Sequence, residues 1–209
     1  MIQEVSKRVL LVGATGYAGN KLASYLLKET GATVILGGRS RAKLDDLQSG
    51  LRRQDLAHRL EVHELDATNL DSAALGDFDL LVNATAEGPH NAALIQACLD
   101  HRADWIDMQM TNELVNPPPI LRESIERAGS CFVIQAGFHP GIIAPLVRYA
   151  GQQMDVMDCA IVGSVIRDRT GLPYTSGFSE LVASFRDYKS EMYKDGQWQK
   201  LKYPAYPKI

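Results

Sequence analysis

The stretch Lys7-Arg-Val-Leu-Leu-Val-Gly-Ala-Thr-Gly-Tyr-Ala-Gly19 decides the reading of the fold. An apolar strand, Val9 to Val12, runs straight into glycines at Gly13, Gly16 and Gly19, and a helical pattern follows through Leu22, Tyr25, Leu26 and Leu27. Strand, glycine turn and helix in this order form the pyrophosphate cradle of a doubly wound fold. Gly13 lets the chain turn, Gly16 lets backbone approach a phosphate, and Gly19 lets the helix pack close to the strand. The helix then points free N–H groups and the positive end of its dipole at the anion. The spacing is G-x-x-G-x-x-G rather than G-x-G-x-x-G, and glycines also serve ordinary turns. The flanking strand and helix are what favour nucleotide binding over a bare turn.

The second apolar strand points the same way. Thr33-Val-Ile-Leu36 is followed by Gly37, Gly38, Arg39 and Ser40. An NAD site usually places Asp or Glu here for the ribose 2′-hydroxyl. Arg39 stands here instead, with Arg41 and Lys43 close behind. A guanidinium pairs bidentately with a 2′-phosphate and stacks on adenine. Cations at a helix start oppose the dipole unless an anion joins them. These residues favour NADP(H) over NAD(H); the alternative is a solvated helix start.

The chain has 209 residues, 45% of them apolar, and a formal net charge of −3. That composition suits a globular protein with a real core. The charge gives no reason to expect nucleic acid or an anionic membrane as partner. No apolar run approaches the length of a membrane span, and the first one enters the glycine turn without a cleavage site. Cys98, Cys131 and Cys159 are odd in number and widely spaced. They read as buried or half-buried thiols of a reducing compartment, not a disulfide or metal set. The cytoplasm is the expected location.

Strand and helix patterns alternate onward. A helix is predicted over 41–51, a strand over Leu60–Leu65 ending in Asp66-Ala67-Thr68, and a short helix near 69–75. A buried strand follows from Phe78 to Asn83, then a helix from His90 to Asp100 and a short strand at Trp105–Asp107. Pro119 opens a helix through Ala128, with Gly129 as its C′ residue. Cys131–Gln135 is the sixth predicted strand. The whole predicts an α/β fold, a parallel doubly wound sheet with right-handed crossovers, over residues 1–141. Beyond, Ile142–Met154 reads as helix, Asp158–Ile166 as strand, Ser179–Met192 as helix and 192–201 as a hairpin around Asp195-Gly196. Segment 142–209 is too small to close a sheet alone. It reads as part of a smaller α+β substrate or dimerisation domain, cut short or completed by a partner. An open strand edge makes a homodimer plausible.

Several of these stretches resemble one family. Val12-Gly-Ala-Thr-Gly-Tyr-Ala-Gly19, Gly37-Gly-Arg-Ser40, Val82-Asn-Ala-Thr85, Trp105-Ile-Asp107 and Ala136-Gly-Phe-His-Pro-Gly141 are similar to the saccharopine dehydrogenase-like family. The resemblance covers residues 7–150. It implies a Rossmann-type NAD(P) domain followed by an α+β domain that shapes the substrate site. It also implies hydride transfer at a C–N or C–O bond of a small metabolite. Residue by residue, it implies that Gly13, Thr15, Gly16, Tyr17 and Ala18 line the pyrophosphate, and that Arg39 and Ser40 meet the 2′-phosphate. Asp66 and Ala67 would lie beside adenine. Asn83, Ala84 and Thr85 would run under the nicotinamide-side ribose. All stand at carboxyl ends of predicted parallel strands, where open α/β sheets bind ligands.

A proton donor or acceptor must accompany hydride transfer. His139, between Gly137 and Pro140-Gly141, is the first candidate, and a histidine capping a loop is its alternative. His90, after Glu87-Gly-Pro89, is the second, and a helix-start residue near the cofactor is its alternative. Asp107 binds substrate or ribose, or holds a loop by accepting backbone N–H groups. Trp105 fills core or cleft wall. The string Tyr17-x-x-x-Lys21 lies inside the glycine loop's own helix, where it cannot act as the catalytic pair of a short-chain dehydrogenase. Two further functions stay open. One is an NADP(H)-binding sensor or interaction module without turnover. The other is a cysteine-dependent semialdehyde or acyl-phosphate reductase, disfavoured because Cys131 begins a predicted interior strand and suits a packed thiol.

Overall fold

Strand β1 (Arg8–Val12) is apolar on both faces because both faces are covered. Val9 and Leu11 enter one core, Leu10 and Val12 the other. Strand β2 (Thr33–Gly38) divides likewise, with Val34 and Leu36 on one side and Ile35 on the other. The first core receives Ala23 and Leu27 of helix α1 (Tyr17–Glu29) and Leu44 and Leu51 of α2 (Arg41–Arg52). The second receives Leu94, Ile95, Ala97 and Cys98 of α3 (His90–His101). Period-2 strands between period-3.6 helices thus bury apolar surface on both faces of one sheet.

The computed structural model describes residues 7–52, 59–110, 114–138, 141–160, 162, 191–194 and 197–200. Its sheet has six parallel strands in the order β3-β2-β1-β4-β5-β6. Here β3 is Leu60–Glu64, β4 Leu80–Asn83, β5 Asp104–Asp107 and β6 Phe132–Val133. The chain winds outward from β1 to β3, then returns to place β4 on the other side of β1. The carboxyl ends of β1 and β4 flank this reversal, where such sheets bind ligands. Register puts Val12 beside Gly37 on one side and Asn83 on the other. At the opposite, amino-terminal edge, Arg8 reaches across β2 to hold Glu61 through two 2.8 Å bonds. The guanidinium keeps that carboxyl below its usual pKa range.

Helix α4 (Pro119–Ala128) begins on its proline and ends on Gly129 in the left-handed conformation, as expected. The segment expected as one short helix near 69–75 is instead two 3₁₀ turns, Ala67–Asn69 and Ser72–Leu75. Asp66 and Asp71 each accept the N–H two residues on, and this local bonding competes with an α-helical turn. Strand β6 is shorter than expected because Gln135 turns to φ 55° and gives its N–H to Asp107. Helix α5 (Ile143–Gly151) stops short of Met154, in turns closed by Gln153 N–H to Ala150 and Met154 N–H to Gly151.

The chain divides into two compact units, Met1–Val165 and Ile166–Ile209, and α5 belongs to the first. Of the expected strand at 158–166, residues 158–160 and 162 are not strand, and the others lie outside the described residues. In the second unit, β7 (Glu191–Lys194) pairs antiparallel with β8 (Gln197–Lys200). Asp195 and Gly196 lie outside the described residues, as do 179–190 of the expected helix. Glu191 and Met192 belong to the hairpin strand rather than that helix. Among the described residues no helix is long and apolar enough to cross a membrane.

The first turn is closely packed. A Cβ on Gly19 would run into the carbonyl oxygen of Gly13 and lie 2.9 Å from the Ala14 Cα. Both obstacles are backbone, so neither can swing aside. Gly19→Ala is expected to cost about 1–3 kcal/mol, the usual range for overpacking. Urea unfolding followed by circular dichroism measures it.

Candidate cofactor site

The glycine loop leaves β1 at Gly13, whose φ of +82° suits glycine alone. Gly13 and Ala14 donate their N–H groups to the Gly37 carbonyl at 3.0 and 3.1 Å, tying the loop to the end of β2. On the other side a Cβ at Gly13 would stand 3.0 Å from the Ala84 carbonyl and the Thr85 methyl. The loop therefore sits between the ends of β2 and β4 with backbone as its inner wall. Gly16 is the N-cap of α1 and makes no side-chain cap, so the first N–H groups of α1 have no capping side chain. Gly16, Tyr17 and Ala18 are exposed there, and Thr15 is half-buried. The Lys21 ammonium lies 5.4 Å from the Tyr17 ring centre, a cation–π contact within the helix.

Arg39 is exposed at the end of β2. Its guanidinium makes no hydrogen bond or ion pair within 4 Å among the described residues, whereas Arg41 is engaged by Asp45 at 2.9 Å. Ser40 opens α2 and accepts from the Leu44 N–H through its carbonyl. Asp66 takes the Thr68 hydroxyl at 2.7 Å and its N–H at 3.0 Å. Those two bonds, and then the charges of Arg39 and His90, hold its carboxyl below the usual range. A cleft of about 360 Å³ between α1 and α2 adjoins the loop, with Thr15, Asn20, Lys43 and Asp46 on its walls. Glycine loop, Arg39, Ser40, Asp66 and the end of β4 thus gather along one sheet edge.

Two expected residues sit deeper than the rest. Ala67 is packed into the core with Leu65 and Leu75. Asn83 is fully buried and faces inward. Its Oδ1 accepts the Thr85 N–H at 3.1 Å and the Thr85 hydroxyl at 2.7 Å, while its amide donates to Asn91 at 3.2 Å. Asn91 and Gln109 exchange amide bonds at 2.8 and 3.1 Å, and Gln109 also donates to the Thr85 carbonyl at 3.3 Å. Three buried amides therefore hold the loop after β4. Asn91 is not among the residues expected at the site. The signal was present, because Asn91, Leu94 and Cys98 share one face of α3 and a polar residue on a buried face needs a partner.

His90 bonds Thr85 Oγ1 through Nε2 at 2.8 Å. His139 lies outside the described residues; of its neighbours, Gly137 and Gly141 bridge and the Ile142 N–H donates to the Gly137 carbonyl at 3.0 Å. Asp107 is buried and holds a loop: it accepts Trp105 Nε1–H at 2.8 Å and the N–H groups of Gln109 and Gln135 at 3.1 and 3.0 Å. Trp105 is core. Cys131 is exposed, which corrects the expectation of a packed thiol. It precedes β6 at the amino-terminal edge of the sheet, opposite the glycine loop, so position rather than burial separates it from the site. Cys98 is buried, and desolvation pushes its thiol pKa up.

Residues 9–132 match the family model described as Saccharopine dehydrogenase NADP binding domain, more than half of the chain. A carboxynorspermidine synthase of Vibrio cholerae serotype O1 is 21% identical over 190 residues, covering 80% of this chain and 45% of that protein. The carboxynorspermidine synthase of Vibrio alginolyticus is 22% identical over 182 residues, covering 78% of this chain and 43% of that protein. The chain spans under half the length of these relatives. Among solved structures, Pen from Bacillus thuringiensis is 20% identical with a TM-score of 0.43, covering 49% of this chain and 38% of that one.

The amide network makes a direct prediction. Asn91→Leu removes the partner of two buried amides and leaves them dry. A loss of about 2–3 kcal/mol is expected, the penalty for unpaired buried polar groups, and denaturant unfolding reads it. The loop between the ends of β2 and β4, the open N-terminus of α1 and an exposed Arg39 without a hydrogen-bonding partner among the described residues suit a 2′-phosphorylated dinucleotide. With the family match they assign NADP(H) as cofactor, and the chain belongs to the saccharopine dehydrogenase family through its NADP-binding domain.

Proposed function

We propose that this chain is the NADP(H)-binding part of an oxidoreductase that transfers hydride at a C–N or C–O bond of a small metabolite. The observation that carries the reading is Arg39: an exposed guanidinium with no hydrogen-bonding partner among the described residues, at the end of β2 beside the glycine loop. The backbone N–H groups of Thr15, Tyr17 and Ala18 would take the pyrophosphate, while the Gly16 N–H closes the turn on the Gly13 carbonyl. Arg39 and Ser40 would take the 2′-phosphate. Asp66 and Ala67 would flank adenine, and Ala84 and Thr85 would face the adjoining ribose with Asn83 behind them. The cofactor supplies the hydride; the protein supplies placement.

The C–N bond is the favoured member of the pair, because both curated relatives are named for a carboxylated amine product. In that reading an imine carbon accepts hydride, its nitrogen accepts a proton, and a secondary amine results.

Fluorescence titration tests the cofactor assignment. Arg39→Ala is expected to weaken NADPH binding about 10- to 100-fold, the worth of a charge-assisted contact, and to leave NADH binding nearly unchanged. Equal loss for both cofactors would remove Arg39 as the 2′-phosphate ligand. NADPH oxidation against amines paired with aldehydes or keto acids tests the reaction, and tight binding without turnover in the full-length protein would favour a sensor.

A further inference from the structure

His90 begins α3 with its ring half-buried at the carboxyl end of β4. The hydrogen bonds around it fix which of its nitrogens carries the proton. A backbone N–H can only donate, so the Asn83 atom that meets the Thr85 N–H at 3.1 Å is the carbonyl oxygen. That same oxygen lies 2.7 Å from Thr85 Oγ1, and two oxygens at this distance need a hydrogen between them. The Thr85 hydroxyl has one hydrogen, which goes to Asn83 in preference to the Ala86 carbonyl at 3.2 Å, and both of these oxygens can only accept. Thr85 Oγ1 is then left with lone pairs alone toward His90 Nε2 at 2.8 Å, so Nε2 must be the N–H. In neutral imidazole the other nitrogen, Nδ1, is therefore an acceptor. Among the described residues Nδ1 has no hydrogen-bond partner.

Two further features hold this arrangement. Asn83 cannot turn its amide over, because its other end donates to Asn91 Oδ1, and Asn91 is itself locked by Gln109. Gly88 leaves room for the ring: a Cβ there would stand 2.8 Å from His90 Nδ1 and 2.9 Å from Cε1. His90 opens α3 just beyond the carboxyl end of β4, the sheet edge that the glycine loop and Arg39 also occupy.

We infer that His90 Nδ1 is a fixed hydrogen-bond acceptor for a donor of the bound dinucleotide, a ribose hydroxyl or an amine N–H, with its tautomer set by the Gln109–Asn91–Asn83–Thr85 line. This rests on the NADP(H) reading above and assigns a ligand-binding role to a residue otherwise read as a helix start or proton donor. It also removes the Thr85 hydroxyl as a donor to ligand, since its one hydrogen points inward.

The test uses three variants and two probes. His90→Gln can still reach Thr85 with its amide nitrogen but leaves the Nδ1 position empty. His90→Asn places an amide oxygen at the Nδ1 level. Gly88→Ala crowds the ring without removing it. NADP⁺ and adenosine 2′,5′-bisphosphate are titrated by calorimetry, and urea unfolding checks that each variant folds. The expected result is a roughly three- to tenfold loss of NADP⁺ affinity in His90→Gln and Gly88→Ala, the worth of one neutral hydrogen bond, with recovery in His90→Asn. An equal loss for adenosine 2′,5′-bisphosphate assigns the donor to the adenosine half, and a loss for NADP⁺ alone assigns it to the nicotinamide half. Folded His90→Gln with undiminished affinity for both probes overturns the inference and leaves NADP(H) binding standing. So does a ¹⁵N spectrum of the free protein showing Nδ1 protonated. A wild-type protein that binds neither probe overturns the cofactor reading as well.

Discussion

The position of the cofactor site depends on how closely α1 approaches the end of β1. The Gly13 carbonyl occupies the space that a side chain at Gly19 would need, so helix and turn meet backbone to backbone. This contact sets where the first N–H groups of α1 point, and those groups are the proposed anion site. It also presses the loop between Gly37 and Ala84, so the ends of β1, β2 and β4 reach one edge together. Any side chain at residue 19 would tilt α1 and carry the phosphate donors with it. The packing of one glycine and the direction of the first α1 N–H groups are thus a single constraint.

A second constraint lies behind the loop after β4. Asn83, Asn91 and Gln109 are buried amides, which are costly unless every group is paired. Here each amide locks the next, and Asp107 does the same for the Gln109 and Gln135 backbone. The polar core is stiff and directional, and its outward product is the orientation of Thr85 and His90. Arg39 differs in kind. It is exposed, without a hydrogen-bonding partner among the described residues, and adds little to the fold, as expected of a group held for a ligand.

The parts of this protein that obey period and punctuation were legible in the chain. Val9–Val12 is apolar throughout because two cores cover it, and the glycine spacing at 13, 16 and 19 has only a few physical uses. Pro119 and Gly129 mark their helix ends by backbone restriction alone. Other features follow from pairings that no linear pattern shows. The 3₁₀ turns after β3 arise from Asp66 and Asp71 capturing nearby N–H groups. The early end of β6 follows from Gln135 donating to a carboxylate 28 residues away. Asn91 shares the buried face of α3 with Leu94 and Cys98, which the chain shows, but its partners on β4 and after β5 are visible only in the fold, and the exposure of Cys131 depends on which strand forms the sheet edge.

In the proposed function, Arg39 and the glycine loop together select a 2′-phosphorylated dinucleotide. Parallel titrations of the wild-type protein with NADPH and NADH, at one ionic strength, test it most directly. NADPH is expected to bind at least tenfold more tightly, and the gap to narrow as salt screens the exposed guanidinium. Equal affinities, or a preference for NADH, would contradict it.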